Sequence, residues 1–182
     1  INNDSFLAYN NLGTALLEDG DIEGAISNIQ KAIYLNSKYA EAYFNLGNAL
    51  HEKGELYKSI SSYKKALEIR HNYHSARFSL SLVQLLLGDY DSGLENFESR
   101  FMSKEPAIPH SIPNLKRWEG EALNNNEKLV VISEQGLGDT IQFMRYVKYL
   151  RVKNIQVTFC AQKALHGIIK ASNIDPIPIT PH

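Results

Sequence analysis

One spacing governs what this chain can fold into: a block of 34 residues that recurs before and after itself. Residues 40–73 read AEAYFNLGNALHEKGELYKSISSYKKALEIRHNY, and the same chemistry stands one block away on either side. Leu12, Leu46 and Leu80 form one column, followed by Gly13, Gly47 and Ser81. Gly20, Gly54 and Gly88 form another, each followed by an acid: Asp21, Glu55 and Asp89. Ala25, Ser59 and Gly93 are small in register, Ile29, Tyr63 and Phe97 are large, and Ala32 and Ala66 are small before Arg100 breaks the column. A fixed period held over so many columns is the mark of a stacked repeat.

Physical chemistry accounts for each column. On both sides of the Gly-acid pair, apolar residues recur at helical spacing, which predicts two short helices per unit, in the middle unit near 41–52 and 56–69. Neither could hide its apolar stripe alone, and isolated helices of that length are marginal in water. Gly47, Ser59 and Ala66 let helix axes approach, while Leu46, Tyr63 and Leu67 fill the space beside them. The glycines at 20, 54 and 88 suit a helix end, and the following acids can cap the next helix and oppose its dipole. This pattern resembles the tetratricopeptide repeat, with three units at about 5–36, 39–71 and 73–102, inside a domain of residues 1–102. Two departures stand out: no Pro closes a unit, since Ser37 and His71 occupy that place, and Ser81 replaces the third Leu-Gly glycine.

That resemblance implies an α-solenoid of helical hairpins in which the first helix of each unit lines a concave groove. The inward set is then Asn10, Asn11, Thr14, Leu17 and Glu18 in the first unit. It is Phe44, Asn45, Asn48, His51 and Glu52 in the second, and Phe78, Ser79, Leu82, Leu85 and Leu86 in the third. Of these, Asn10, Asn11, Thr14, Phe44, Asn45, Asn48 and His51 are the candidate contacts for a protein or peptide partner. Asn11 and Asn45 lie one repeat apart, an arrangement similar to the asparagine ladder in the repeats of O-linked N-acetylglucosamine transferases. An Asn amide donates and accepts at once, which suits an extended peptide backbone; the alternative is that these residues simply solvate a helix face. The apolar third-unit surface of Phe78, Leu82, Leu85 and Leu86 is expected to pack against the segment that follows.

Beyond residue 102 the composition changes. Pro106, Pro109 and Pro113 oppose helix and mark a linker over 103–127, with Trp118 expected to anchor it. Residues 128–182 then read as a second domain. KLVVIS at 128–133 predicts a strand buried on both faces. EQGLGDT follows at 134–140, then a helix over 139–153, a strand over 155–160 and a helix over 162–171. Strand, glycine-rich turn and helix open a doubly wound parallel sheet, a partial Rossmann-like α/β domain. Gly136 and Gly138 are expected to turn the chain and offer backbone N–H groups to an anion or sugar oxygen. Asp139, Thr140 and Ile141 stand where a dinucleotide fingerprint needs its third glycine, so nicotinamide chemistry is disfavoured.

The whole stretch, linked to the repeats, is similar to repeat-fused bacterial proteins whose C-terminal region resembles the heptosyltransferases, glycosyltransferases of two Rossmann domains. That resemblance implies Asp139 as general base toward an acceptor hydroxyl and Gly136, Leu137, Gly138 and Thr140 as substrate-binding positions. A nucleotide sugar would be held mainly by a second domain, so this chain alone is expected neither to carry a cofactor nor to turn over. A purely non-catalytic adaptor is the other reading, with Asp139 no more than a helix cap.

Charge and composition exclude several classes. Residues 1–105 carry 10 Lys and Arg against 14 Asp and Glu, and residues 106–182 carry 9 against 6, so neither part has the charge of a nucleic-acid binder. No basic cluster interleaved with aromatics is recognised. No apolar run is long enough to span a bilayer. Cys160, the single cysteine, sits in an apolar run as core filler and excludes an internal disulfide, which suits the cytoplasm. His71 and His74 lack a third ligand and read as a surface pair rather than a metal site. Ile1 falls just before a helix and the chain stops at IDPIPITPH without a closing element, so a piece of a longer protein is expected.

Overall fold

A computed structural model describes residues 5–102, 115–124, 126–134 and 136–180. The lead-in at residues 1–4, and Pro106, Pro109, Pro113 and His110 of the linker, lie outside the described residues. The chain divides into two compact units, Ile1–Pro106 and Ala107–His182.

The first unit is six α-helices in hairpin pairs: α1 (Ser5–Glu18) with α2 (Ile22–Leu35), α3 (Ala40–Glu52) with α4 (Leu56–Ile69), and α5 (His74–Leu86) with α6 (Tyr90–Phe97). Each helix packs on the next, and the first helices also touch one another, α1 on α3 and α3 on α5. This is stacking in which each unit contacts only its neighbours, and the core inside each hairpin runs on into the next. Gly20, Gly54 and Gly88 all sit at positive φ, from 81° to 88°, a conformation that costs a residue with a Cβ about 1–2 kcal/mol.

The three acids after those glycines behave differently. Asp21 and Asp89 cap their helices, accepting from the N–H of Gly24 at 2.9 Å and of Ser92 at 3.2 Å. Glu55 makes no side-chain cap. Its chain is one methylene longer, and it reaches sideways to Lys53 at 3.0 Å and to Lys58 instead.

The leucine column grades in burial along the stack. Leu12 is 48% exposed, Leu46 is half-buried, and Leu80 is 3% exposed. Leu46 packs on the cluster holding Ile26 and Ile29 of α2, and Leu80 on the cluster holding Tyr63 of α4. The column therefore fills against the second helix of the preceding unit, and among the described residues none precedes α1.

The third unit ends unlike the others. α6 stops at Phe97 and tightens into a 3-10 turn, Glu98–Met102. Arg100, in register with Ala32 and Ala66, is nevertheless buried. Its guanidinium lies over the rings of Phe97 and Phe101, at 4.2 and 4.0 Å, and donates to the Phe97 carbonyl.

In the second unit, β1 (Leu129–Ile132) pairs in parallel with β2 (Val157–Cys160), Leu129 opposite Val157 and Ile132 opposite Cys160. Ile179 forms a parallel bridge to Cys160. All four β1 residues are only half-buried, which corrects the expectation of a strand covered on both faces. The helix expected over 139–153 is two: α7 (Leu137–Phe143) and α8 (Arg145–Val152). At Met144 the bonding shifts, the Val147 N–H reaching Met144 O rather than the carbonyl of Phe143, and the helix tightens there. The final helix is likewise shorter, a 3-10 turn Lys163–Leu165 leading into α9 (His166–Ala171). Val147, Phe159, Ala161, Leu165, Ile169 and Ile174 form the core. Cys160 is 3% exposed and its thiol is pushed up by burial, the behaviour of core filler. The Trp118 indole closes a local turn by donating to Glu121 O at 2.7 Å. No helix of the described residues is long and apolar enough to cross a membrane.

Candidate peptide groove and glycine-rich turn

The face built by α1, α3 and α5 carries the expected contacts, but they fall into two groups. Asn11 and His51 are exposed, as are Glu18 and Glu52. Asn10 is instead 2% exposed, and Thr14, Leu17, Phe44, Asn45 and Asn48 are at most half-exposed. Asn45 links the first two repeats: its Nδ2 donates to Asn10 Oδ1 at 3.0 Å and to Thr14 Oγ1 at 3.2 Å. Thr14 Oγ1 in turn donates to the Asn10 carbonyl at 3.1 Å. An Asn amide has two hydrogens, so both are spent between repeats and what the Asn45 amide leaves open is its acceptor oxygen. The asparagine it bonds is Asn10, not the Asn11 that the 34-residue spacing pairs with it.

Asn48 is engaged within its own hairpin, where its Oδ1 accepts from the Tyr63 hydroxyl at 2.8 Å. Burial pushes the Tyr63 phenol up, so it stays protonated as donor. Phe44 stacks at a tilt between Tyr63 and Tyr73, with centroids 6.0 and 5.1 Å away. In the third unit Phe78 meets Phe97 at 5.5 Å and Leu85 packs over Gly93, so these two are held by α6. Leu82 and Leu86 remain 45% and 65% exposed.

The glycine-rich turn differs from its expected mechanism. Gly136 is the N-cap of α7 in extended backbone, and neither Gly136 nor Gly138 adopts positive φ. Gly138 lies inside the helix with open space where a Cβ would point. The turn thus does not require glycine for its conformation. Asp139 is the third residue of α7, half-buried, and is not the cap. Thr140 is 5% exposed, its Oγ1 lying 3.2 Å from Gly136 O and 3.1 Å from Gln162 Oε1. Its hydroxyl is committed to holding the turn against the end of β2. Leu137 is exposed at the start of the helix. With only seven residues before the break at Met144, the dipole at this N-terminus is that of two turns.

Among the described residues no three His, Cys, Asp or Glu side chains gather as a metal site. Contrary to the expectation of no basic cluster interleaved with aromatics, the stretch at residues 143–153, FMRYVKYLRVK, interleaves aromatics with cations. Its signal is an aromatic every third residue, at 143, 146 and 149, which helical spacing puts on neighbouring positions of one face.

Comparison with known proteins bears on the repeat unit. Residues 13–54 match the family described as TPR repeat, and residues 40–73 the family described as tetratricopeptide repeat. The helices within residues 13–73 are tetratricopeptide repeats. A crystal structure of MamA is 33% identical, with a TM-score of 0.51, covering 54% of this chain and 57% of that one. The second repeat domain of Spaghetti (RPAP3), bound to the HSP90 peptide SRMEEVD, shares the fold at 17% identity and a TM-score of 0.52. It covers 54% of this chain and 91% of that one. The TPR2B domain of yeast Sti1, solved as a complex with pHsp70, is 21% identical with a TM-score of 0.51, covering 52% and 76%. The chain thus spans a little over half the length of the MamA structure it matches. A search of curated proteins found no match.

Proposed function

We propose that the repeats are a scaffold that holds an extended peptide or partner protein along α1, α3 and α5. The observation that carries this is the row of groups left open on three consecutive first helices: Asn11, His51, Leu82 and Leu86. One domain of the same fold was solved on a peptide and another in complex with pHsp70, which supports the mode of binding. The chemistry points to a different cargo from the acidic SRMEEVD. α1 and α3 contain no Lys or Arg, and Arg77 of α5 is turned to the His71 carbonyl at 3.2 Å. A neutral peptide, bonded through its backbone by Asn11 and Asn45 and seating an apolar side chain on Leu82 and Leu86, fits this face best. The test is fluorescence anisotropy with neutral, apolar-bearing peptides and with SRMEEVD. Tighter binding of the neutral set, weakened by Asn11→Ala and Leu86→Ser, is expected; preference for SRMEEVD would sink this reading.

A second reading concerns the C-terminal unit, and the parallel order β1–β2–Ile179 favours it. That order suits the opening part of a doubly wound sheet, in which ligands bind beyond the carboxyl ends of the strands. In a longer chain with a second α/β domain to bind a nucleotide sugar, Asp139, just past β1, would take the proton of an acceptor hydroxyl. The repeats would then recruit the acceptor. Sugar transfer by the longer chain, lost in Asp139→Asn, is the expected result; unchanged turnover removes the assignment and leaves the adaptor reading. The buried free thiol of Cys160 is in keeping with a cytoplasmic setting.

A further inference from the structure

Along α7 and α8 six large apolar residues, Leu137, Ile141, Phe143, Tyr146, Tyr149 and Val152, are each more than two-fifths exposed, and the last four recur every third residue, which gathers them on one side. So dense an apolar surface on sixteen residues is uncommon unless something covers it. Arg145, Lys148 and Lys153 stand among them, and none of the three has a carboxylate within 4 Å among the described residues. Met144 and Val147 turn the opposite side into the core.

We propose that this face docks on an anionic lipid surface, lying in the interface with its aromatic and aliphatic side chains among the headgroups. Three cations without a carboxylate neighbour complement an anionic partner, and the apolar row fits one that also offers an apolar phase. A phospholipid surface with acidic headgroups supplies both. Arg and Lys reach outward from apolar stems, which places charge at phosphate depth while the rings sit below. A single-stranded nucleic acid meets the charge requirement only. Its bases need open ring faces, whereas Arg145 lies over Tyr146 at 5.2 Å, Lys153 over Tyr149 at 5.7 Å, and Phe143 stacks near-parallel on Tyr146. Nor would it use Leu137, Ile141 or Val152.

The experiment is vesicle co-sedimentation of the full chain, with phosphatidylcholine–phosphatidylserine vesicles and with phosphatidylcholine alone. Salt-sensitive binding to the acidic vesicles is expected, weakened about fivefold for each cation removed in Arg145→Gln, Lys148→Gln and Lys153→Gln. The double variant Tyr149→Ser/Val152→Ser should weaken binding while leaving the charge intact. All five positions are exposed, so circular dichroism should be unchanged in every variant. Equal binding to neutral vesicles, binding untouched by these substitutions, or no binding to either vesicle overturns the proposal. So does a gel shift of a single-stranded oligonucleotide, or a dimer disrupted by Tyr149→Ser, in the absence of vesicle binding.

Discussion

Gly47 and the ring of Tyr63 fit so closely that a Cβ on the glycine would stand 2.4 Å from Cε1 of the tyrosine. The ring has no room to retreat: Tyr63 is 2% exposed and its hydroxyl is tied to Asn48. Gly47→Ala sets a helix-propensity gain of about 1 kcal/mol against overpacking of about 1–3 kcal/mol, so net destabilisation is expected. Gly138, also helical but with nothing within 4 Å of a Cβ, should show the opposite sign, Gly138→Ala gaining up to about 1 kcal/mol. Urea denaturation of the two variants separates a glycine kept for close approach from one that is not. Stabilisation by Gly47→Ala would show that the contact yields.

Asn45 and Asn11 should part company in the same way. Asn45→Ala strips Asn10 and Thr14 of a donor, and Asn10 is almost fully buried. Leaving such an acceptor unpaired costs about 1–3 kcal/mol. Asn11→Ala, on an exposed side chain, should leave the midpoint unchanged. Peptide capture lost in Asn45→Ala is therefore ambiguous until its stability is known, whereas loss in Asn11→Ala reports on the groove. A shift of similar size in both variants would mean that the two share one structural role.

How much of this was legible in the sequence depends on whether a feature is local. The period, the positive-φ glycines and the small-large contact of Gly47 with Tyr63 are written into spacing, since Gly13 meets Ile29 in the first repeat as Gly47 meets Tyr63 in the second. What spacing could not show is which neighbour a polar side chain chooses. The 34-residue column pairs Asn45 with Asn11, yet Asn45 bonds Asn10, which lies nearer across the α1–α3 contact. Glu55 stands in the cap column but is drawn off by Lys53 and Lys58. The helix over 139–153 looked continuous because its apolar spacing continues through Met144, where only the hydrogen bonding changes.

Alkaline pH should loosen the repeats. Burial pushes the Tyr73 phenol up to about 12, and it raises Tyr39 and Tyr63 in the same direction. An unfolded tyrosine ionises near pH 10, so between about pH 10 and 12 the unfolded chain releases protons that the folded one keeps. Stability is then full below about pH 10 and falls as pH rises toward 12. Tyr73→Phe keeps the ring contact with Phe44 and the Arg70 guanidinium above it, so it should flatten part of that fall. Urea midpoints at pH 9 and pH 11 measure it, and an equal drop in the variant would assign the effect to the other two tyrosines.

In the second unit one ion pair ties three segments together. Arg151 of α8 donates to Asp175 Oδ2 at 2.7 Å, to Val157 O of β2 at 2.8 Å, and to the Ile174 carbonyl. Asp175, 4% exposed, also accepts from the N–H groups of Phe159 and Ile177. Asp175→Ala leaves the guanidinium without its counter-charge and two backbone donors without an acceptor. Arg151 keeps some access to solvent, so the loss belongs at the low end for a buried pair, about 3 kcal/mol. Ile179, which this clamp places beside β2, covers Cys160 through its parallel bridge. If the segment lifts away as a unit, labelling of Cys160 by a disulfide reagent should speed up on the order of a hundredfold, the factor that 3 kcal/mol of local opening implies. Arg151→Met keeps the apolar stem and leaves Asp175 two backbone partners, so its labelling should rise less. Equal, slow labelling in wild type and Asp175→Ala would show that the thiol is closed off by the Phe159–Ile169 core rather than by this clamp.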